Sequence, residues 1–127
     1  MSKMDKKTVL VVDDEEIIRD FLFEVLNDDF EVSTASDGDE AIDKLKEQSY
    51  DLVITDLKMP RVSGDEVVKF AKQSDPKAKV IVITGYSSLY SVSKSANHGA
   101  SAFLSKPFSI KELMQTVSDC LGNAKAS

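Results

Sequence analysis

Three stretches of this 127-residue chain are apolar without alternation: Thr8-Val9-Leu10-Val11-Val12, Asp51-Leu52-Val53-Ile54-Thr55 after its first residue, and Lys79-Val80-Ile81-Val82-Ile83-Thr84. A strand with one wet face alternates apolar and polar residues, so unbroken Val- and Ile-rich runs mark strands covered on both sides. A helical segment follows each of them. Ile17, Ile18, Phe21, Leu22, Val25 and Leu26 recur at the helical period directly after the first run. Phe30 to Ala35 reads as a shorter, more polar strand suited to a sheet edge, and Ser36-Asp37-Gly38 opens a helix that buries Ala41, Ile42 and Leu45. After Pro60, Ser63 and Glu66 have the spacing of a capping box. Val67, Val68, Phe70 and Ala71 form the apolar stripe of that helix, and Asp75-Pro76 ends it.

The fourth strand, Lys79 to Thr84, leads into a serine-rich, weak helix from Ser87 to His98, ended by Gly99 and held least by propensity. Ser101 to Ser105 forms a fifth strand. Ser109 and Glu112 make a second capping box, ahead of a last helix carried by Leu113, Met114, Val117 and Leu121. Strand and helix alternate five times, so the fold class is α/β, a parallel sheet doubly wound by five helices with right-handed crossovers. A single domain is expected over residues 1–127, with its core at about 8–121 and a frayed tail from Gly122 to Ser127.

Composition narrows the function classes. A net charge of -6 argues against nucleic acid or an anionic membrane as the direct partner, and suits a protein that handles cations or docks on a basic patch. The lone Cys120 excludes an internal disulfide. It falls in the stripe Leu113, Val117, Cys120, Leu121, with no His or basic cluster to activate it. Met1 to Lys7 lack the apolar core of a signal peptide, and no run approaches membrane-span length, so a cytoplasmic protein is expected.

The chemistry concentrates at strand ends. The first strand ends in Asp13-Asp14, the third in Asp56, the fourth in Thr84 and the fifth in Lys106-Pro107. In a parallel sheet these ends share one edge, the edge where ligands bind. Asp56 alone reads equally as a turn-former, Asp13 and Asp14 as helix caps, Thr84 as a strand residue and Lys106 as an ion-pair partner. Jointly they do not. Neighbouring carboxylates repel, and a hard divalent cation such as Mg²⁺, which takes one or two carboxylates with water and phosphate oxygens, relieves them. Mg²⁺ and Lys106 would balance the three charges, leaving room for a phosphoryl group on a carboxylate nucleophile. Asn97 and His98 read only as helix-end residues, with His98 at a favourable dipole end.

Asp13-Asp14, Asp56 with Met59-Pro60, Thr84-Gly85 and Lys106-Pro107 together resemble the receiver domain of two-component response regulators, of the chemotaxis-regulator type, from Thr8 to about Leu121. The resemblance implies a flavodoxin-like sheet in the order 2-1-3-4-5, and Mg²⁺-dependent acceptance of a phosphoryl group from the phosphohistidine of a histidine kinase or phosphotransfer protein. It implies Asp56 as the phosphoacceptor, and Asp14, Asp56 and the Lys58 carbonyl as direct metal ligands with Asp13 acting through water. Thr84 and Lys106 would hold the phosphoryl group, and the Lys106-Pro107 bond would be cis. Phe103 stands where the family's switch aromatic turns in behind Thr84. Without a hydroxyl, its switch would work by packing alone, controlling an unknown output protein or domain through the fourth helix, fifth strand and fifth helix. Tyr86 is placed to shield the phosphoryl group from water.

On this reading the chain is a phosphoacceptor switch that assists its own phosphorylation and dephosphorylation, not a turnover enzyme. A phosphorylation-independent binding module on the same fold has no reason to keep mutually repelling carboxylates. A Mg²⁺ phosphatase with an aspartyl nucleophile usually carries a second carboxylate two residues on, where this chain has Lys58. No helix-turn-helix or ATPase module follows Leu121, leaving open a single-domain regulator or a receiver from a longer regulator or hybrid kinase.

Overall fold

A computed structural model describes residues 6–85 and 89–122. The elements run β1 (Thr8–Val12), α1 (Glu16–Leu26), β2 (Glu31–Ala35), α2 (Gly38–Glu47), β3 (Leu52–Asp56), α3 (Gly64–Ser74), β4 (Lys79–Thr84), α4 (Leu89–Asn97), β5 (Ala102–Ser105) and α5 (Ile110–Leu121). All strand pairs are parallel and the order is β2-β1-β3-β4-β5. This is the doubly wound sheet expected from the alternation. Tyr86 and the expected start of the fourth helix at Ser87 lie outside the described residues, as do Met1 to Asp5 and the tail beyond Gly122.

The unbroken apolar runs acquire their reason here. Successive side chains of a strand point to opposite faces. Leu10, Val12, Val53, Val80 and Val82 meet α2 and α3 through Ala41, Leu45, Val67, Val68 and Ala71. Val9, Val11, Leu52, Ile54, Ile81 and Ile83 meet α1 and α5 through Leu22, Leu26, Leu113 and Val117. Each fully buried Leu, Ile or Val of this double core contributes about 1.5–3 kcal/mol. The edge strands β2 and β5 are only partly buried and correspondingly more polar. Cys120 packs against the second cluster, and burial pushes its thiol above the ordinary range, as fits an inert residue.

Two local expectations change. Ile17 is 81% exposed while Ile18, Phe21, Leu22, Val25 and Leu26 face the core. Each residue advances about 100° round the helix, and position 17 falls outside the arc that Ile18, Phe21, Leu22, Val25 and Leu26 turn toward the sheet. At α5 the capping box is complete: Ser109 N–H donates to Glu112 Oε1 and Glu112 N–H to Ser109 Oγ. At α3 Ser63 Oγ accepts from Glu66 N–H at 3.3 Å, but only that half of the box is formed.

His98 does more than sit at a helix end. Its Nδ1 is 2.8 Å from Oδ1 of Asp65, a buried residue in the first turn of α3, and Lys94 Nζ approaches the other oxygen at 3.8 Å. The serine-rich α4 is thus tied to α3 by charge. Asp65→Ala is expected to cost about 1–3 kcal/mol, read by urea unfolding, and to speed amide exchange over residues 93–98. An unchanged midpoint with unchanged exchange would remove this role for Asp65.

Candidate functional site

The strand register brings the polar ends together. Val12 pairs with Thr55 and Asp56 with Ile83, so Asp13, one residue past β1, stands level with Asp56 at the end of β3. Thr84 pairs with Ser105, and Lys106 N–H donates to the Thr84 carbonyl at 2.8 Å. Lys106 therefore leaves β5 beside the end of β4. The Lys106-Pro107 bond is cis, in line with the resemblance.

Oxygens of Asp13, Asp14 and Asp56 lie within 4.8 Å of one another. Asp13 and Asp56 are buried and Asp14 is exposed, so the trio opens to solvent on one side. Lys106 Nζ stands 3.7 Å from Asp56 Oδ2, 3.9 Å from Asp13 Oδ2 and 3.4 Å from Glu15 Oε1. Beside these groups is a cavity of about 270 Å³ lined by Asp14, Glu15, Asp56, Lys58, Gly85 and Lys106. Thr84 closes the strand but is not part of that lining.

Asp13 carries the highest electrostatic cost. It is wholly buried. Its Oδ1 accepts from Glu15 N–H at 2.8 Å, whereas its Oδ2 has no hydrogen-bond partner among the described residues. Burial pushes its carboxyl up to about 6; the Glu15 N–H and Lys106 oppose the rise, and Asp56 and Asp14 add to it. Burial also raises Asp56, partly offset by Lys106 and by the backbone N–H groups of Lys58 and Leu57. For Lys106, burial alone would lower the value, but Asp56, Asp13 and Glu15 outweigh it and raise it. A buried carboxylate oxygen without a hydrogen bond, in a cluster that one lysine leaves under-neutralised, fits a hard divalent cation.

Two contributors have no signature in the pattern of strand ends. Arg19 Nη1 donates to the Asp13 carbonyl at 2.8 Å and holds the β1–α1 turn. Glu15, which looks like a first-turn acid, faces Lys106 instead. Both lie on or beside the first turn of α1, so the position of a charge six residues or fewer beyond Asp13 is the available signal.

Residues 9–118 match the family model of the response regulator receiver domain. The chain is 36% identical over 116 residues to the chemotaxis protein CheY of Halobacterium salinarum, covering 91% of this chain and 97% of that protein. It is 33% identical over 110 residues to the response regulator ArlR of Staphylococcus aureus, covering 86% of this chain and 50% of ArlR; it thus spans about half the length of that relative. A CheY-like receiver domain structure from Methanospirillum hungatei superposes with a TM-score of 0.90 at 30% identity, covering 96% of this chain and 98% of that one.

Proposed function

Because the chain belongs to the response regulator receiver family of two-component signalling, we propose that Asp56 accepts a phosphoryl group with the help of Mg²⁺, Thr84 and Lys106. The reading is carried by one observation: the buried Oδ2 of Asp13, which accepts no hydrogen bond among the described residues, within the Asp13–Asp14–Asp56 cluster. Asp14, Asp56 and the Lys58 carbonyl would hold Mg²⁺, with Asp13 acting through water, and the ion would neutralise charge on the phosphoryl oxygens.

The chain's own groups do the rest. A deprotonated Asp56 oxygen attacks the phosphorus of a phosphohistidine. The O–P bond forms as the P–N bond breaks, and the electron pair leaves on the imidazole nitrogen, which takes up a proton. Lys106, already held between Asp56 and Asp13, keeps its proton and offers it in a hydrogen bond to a phosphoryl oxygen. The Thr84 hydroxyl donates to another after moving inward from the end of β4. Attack by water on the same phosphorus later returns the carboxylate, so the domain assists both directions of its switch without being a turnover enzyme.

Receiver domains act between kinases and output domains. For this chain the donor is a histidine kinase or phosphotransfer protein, and the site of action is the cytoplasm. None of the described helices is long and apolar enough to cross a membrane. The output face is α4, β5 and α5. Phe103 is 36% exposed there, beside a cavity of about 640 Å³ between β5 and α5. As Thr84 moves in, Phe103 packs into the space it leaves, a change driven by apolar burial alone.

Intact-mass spectrometry after incubation with acetyl phosphate tests this. The expected result is one phosphoryl group gained with Mg²⁺ and none with a chelator. No gain under either condition would return the domain to a phosphorylation-independent binding module.

A further inference from the structure

The loop between β3 and α3, residues 57–63, carries the Lys58 carbonyl, and it is wedged at both ends. On the sheet side Leu57 N–H donates to the Ile83 carbonyl, and Gly64 N–H donates back to the Leu57 carbonyl at 2.9 Å. A Cβ at Gly64 would stand 2.1 Å from the Asp56 carbonyl oxygen, so only glycine permits this approach. On the far side the loop abuts the start of α2, where a Cβ on Gly38 would lie 2.6 Å from Val62 Cβ.

Between these two seats, Arg61 adopts φ 63°, the only positive φ of a non-glycine residue among the described residues. Glycine, asparagine or aspartate tolerate that conformation better than arginine does. The arginine side chain supplies what they could not. Its Nη2 is 2.9 Å from Asp39 Oδ2 and 3.4 Å from Asp37 Oδ2, and its Nε donates to Asp39 Oδ2 at 3.1 Å. Asp37 is itself fixed, because its Oδ1 caps α2 by accepting from Glu40 N–H at 2.8 Å.

We propose that Arg61 is a positioning residue: by clamping the left-handed turn of the β3–α3 loop to Asp37 and Asp39, it sets the Lys58 carbonyl for the cation at Asp56. This inference rests on the Mg²⁺ reading above and deepens it. By linkage, a cation bound at the site tightens the joint with α2 in return.

The sign of the effect separates positioning from charge. Arg61→Asp replaces a positive group by a negative one near a cation site, so its field alone would tighten Mg²⁺ binding. Loss of positioning would weaken it. The chain has no tryptophan, so Mg²⁺ binding is read by titration calorimetry on the full chain. Arg61→Asp is expected to weaken binding about 3–10-fold, below the 10–100-fold usual for buried outer-shell partners because the pair is exposed. The reciprocal double variant, Arg61→Asp with Asp39→Arg, restores the ion pair and is expected to recover the parent value within about twofold.

In acetyl phosphate uptake the half-saturating Mg²⁺ concentration should shift while the rate at saturating Mg²⁺ holds. Arg61→Asn, which suits the left-handed turn and removes the clamp without bringing in a negative charge, covers the case in which the charge reversal unfolds the chain. It too should weaken binding. Unchanged or tighter Mg²⁺ binding in a folded Arg61 variant overturns this inference alone. Failure of the parent chain to bind Mg²⁺ overturns the metal reading and this inference with it.

Discussion

Asp56→Asn is expected to take up no phosphoryl group from acetyl phosphate at any Mg²⁺ concentration, a loss of at least about 10³-fold in rate, and to melt higher than the parent without metal. The two effects have one origin. An amide has nearly the shape of the carboxylate but is not a nucleophile toward phosphorus, so the reaction loses the atom that forms the new bond. The same substitution removes a charge that burial and Asp14 destabilise. It leaves Lys106 facing Asp13 and Glu15, so no cation is stranded. Intact-mass spectrometry reads the first effect and thermal unfolding in chelator the second. Phosphorylation persisting at the parent rate would mean that another carboxylate is the acceptor. A lower melting temperature without metal would mean that Asp56 is held by favourable contacts in place of repulsion. Sites built for a reaction commonly store such a cost.

What the sequence discloses about this site follows from where information is local. The sheet is legible because β1, β3 and β4 are unbroken apolar runs, a pattern with few architectural solutions. The site is legible because parallel strands bring Asp13, Asp56, Thr84 and Lys106 to one edge, and each stands at the end of its own run. Pairs between distant surface elements are not legible in this way. Arg61 meets Asp37 and Asp39 across a separation of 24 and 22 residues, and His98 meets Asp65 across 33. No periodicity links them, since only the packing of α2 and α4 beside α3 makes them neighbours. Burial also separates residues that look alike. Asp13 and Asp14 are adjacent identical acids, yet one is wholly buried and the other exposed, because the chain turns out of the sheet between them.

That difference leads to a pH effect with an unusual sign. Asp13 in the folded chain titrates at about 6, against an ordinary value of 3.8. A carboxyl raised on folding binds its proton more tightly in the native state than in the unfolded one. Between about pH 4 and 6 the native state therefore carries more protons, and stability falls as pH rises through that window. The shift of 6 - 3.8, or 2.2, corresponds to about 3 kcal/mol of destabilisation at pH 7 at 1.36 kcal/mol per unit. Asp56 is raised and acts in the same direction. Glu40, lowered by its bond from the Ser36 N–H, opposes it: its contribution is present above the ordinary glutamate value and is lost as pH falls through the folded one. Comparing the parent with Asp13→Asn isolates the Asp13 part, since Glu40 is common to both. In chelator, Asp13→Asn is expected to be the more stable at pH 7, with the gap shrinking as pH falls towards about 4.5. Saturating Mg²⁺ favours the deprotonated carboxylates and should reverse the order, stabilising the parent most at pH 7 and hardly at all near pH 4.5. Urea unfolding at both pH values, with and without Mg²⁺, reads all four conditions. A metal-free parent that gains on Asp13→Asn as pH rises would show that Asp13 is stabilised as the anion by contacts within the protein. The buried oxygen that points to a cation would then already be satisfied.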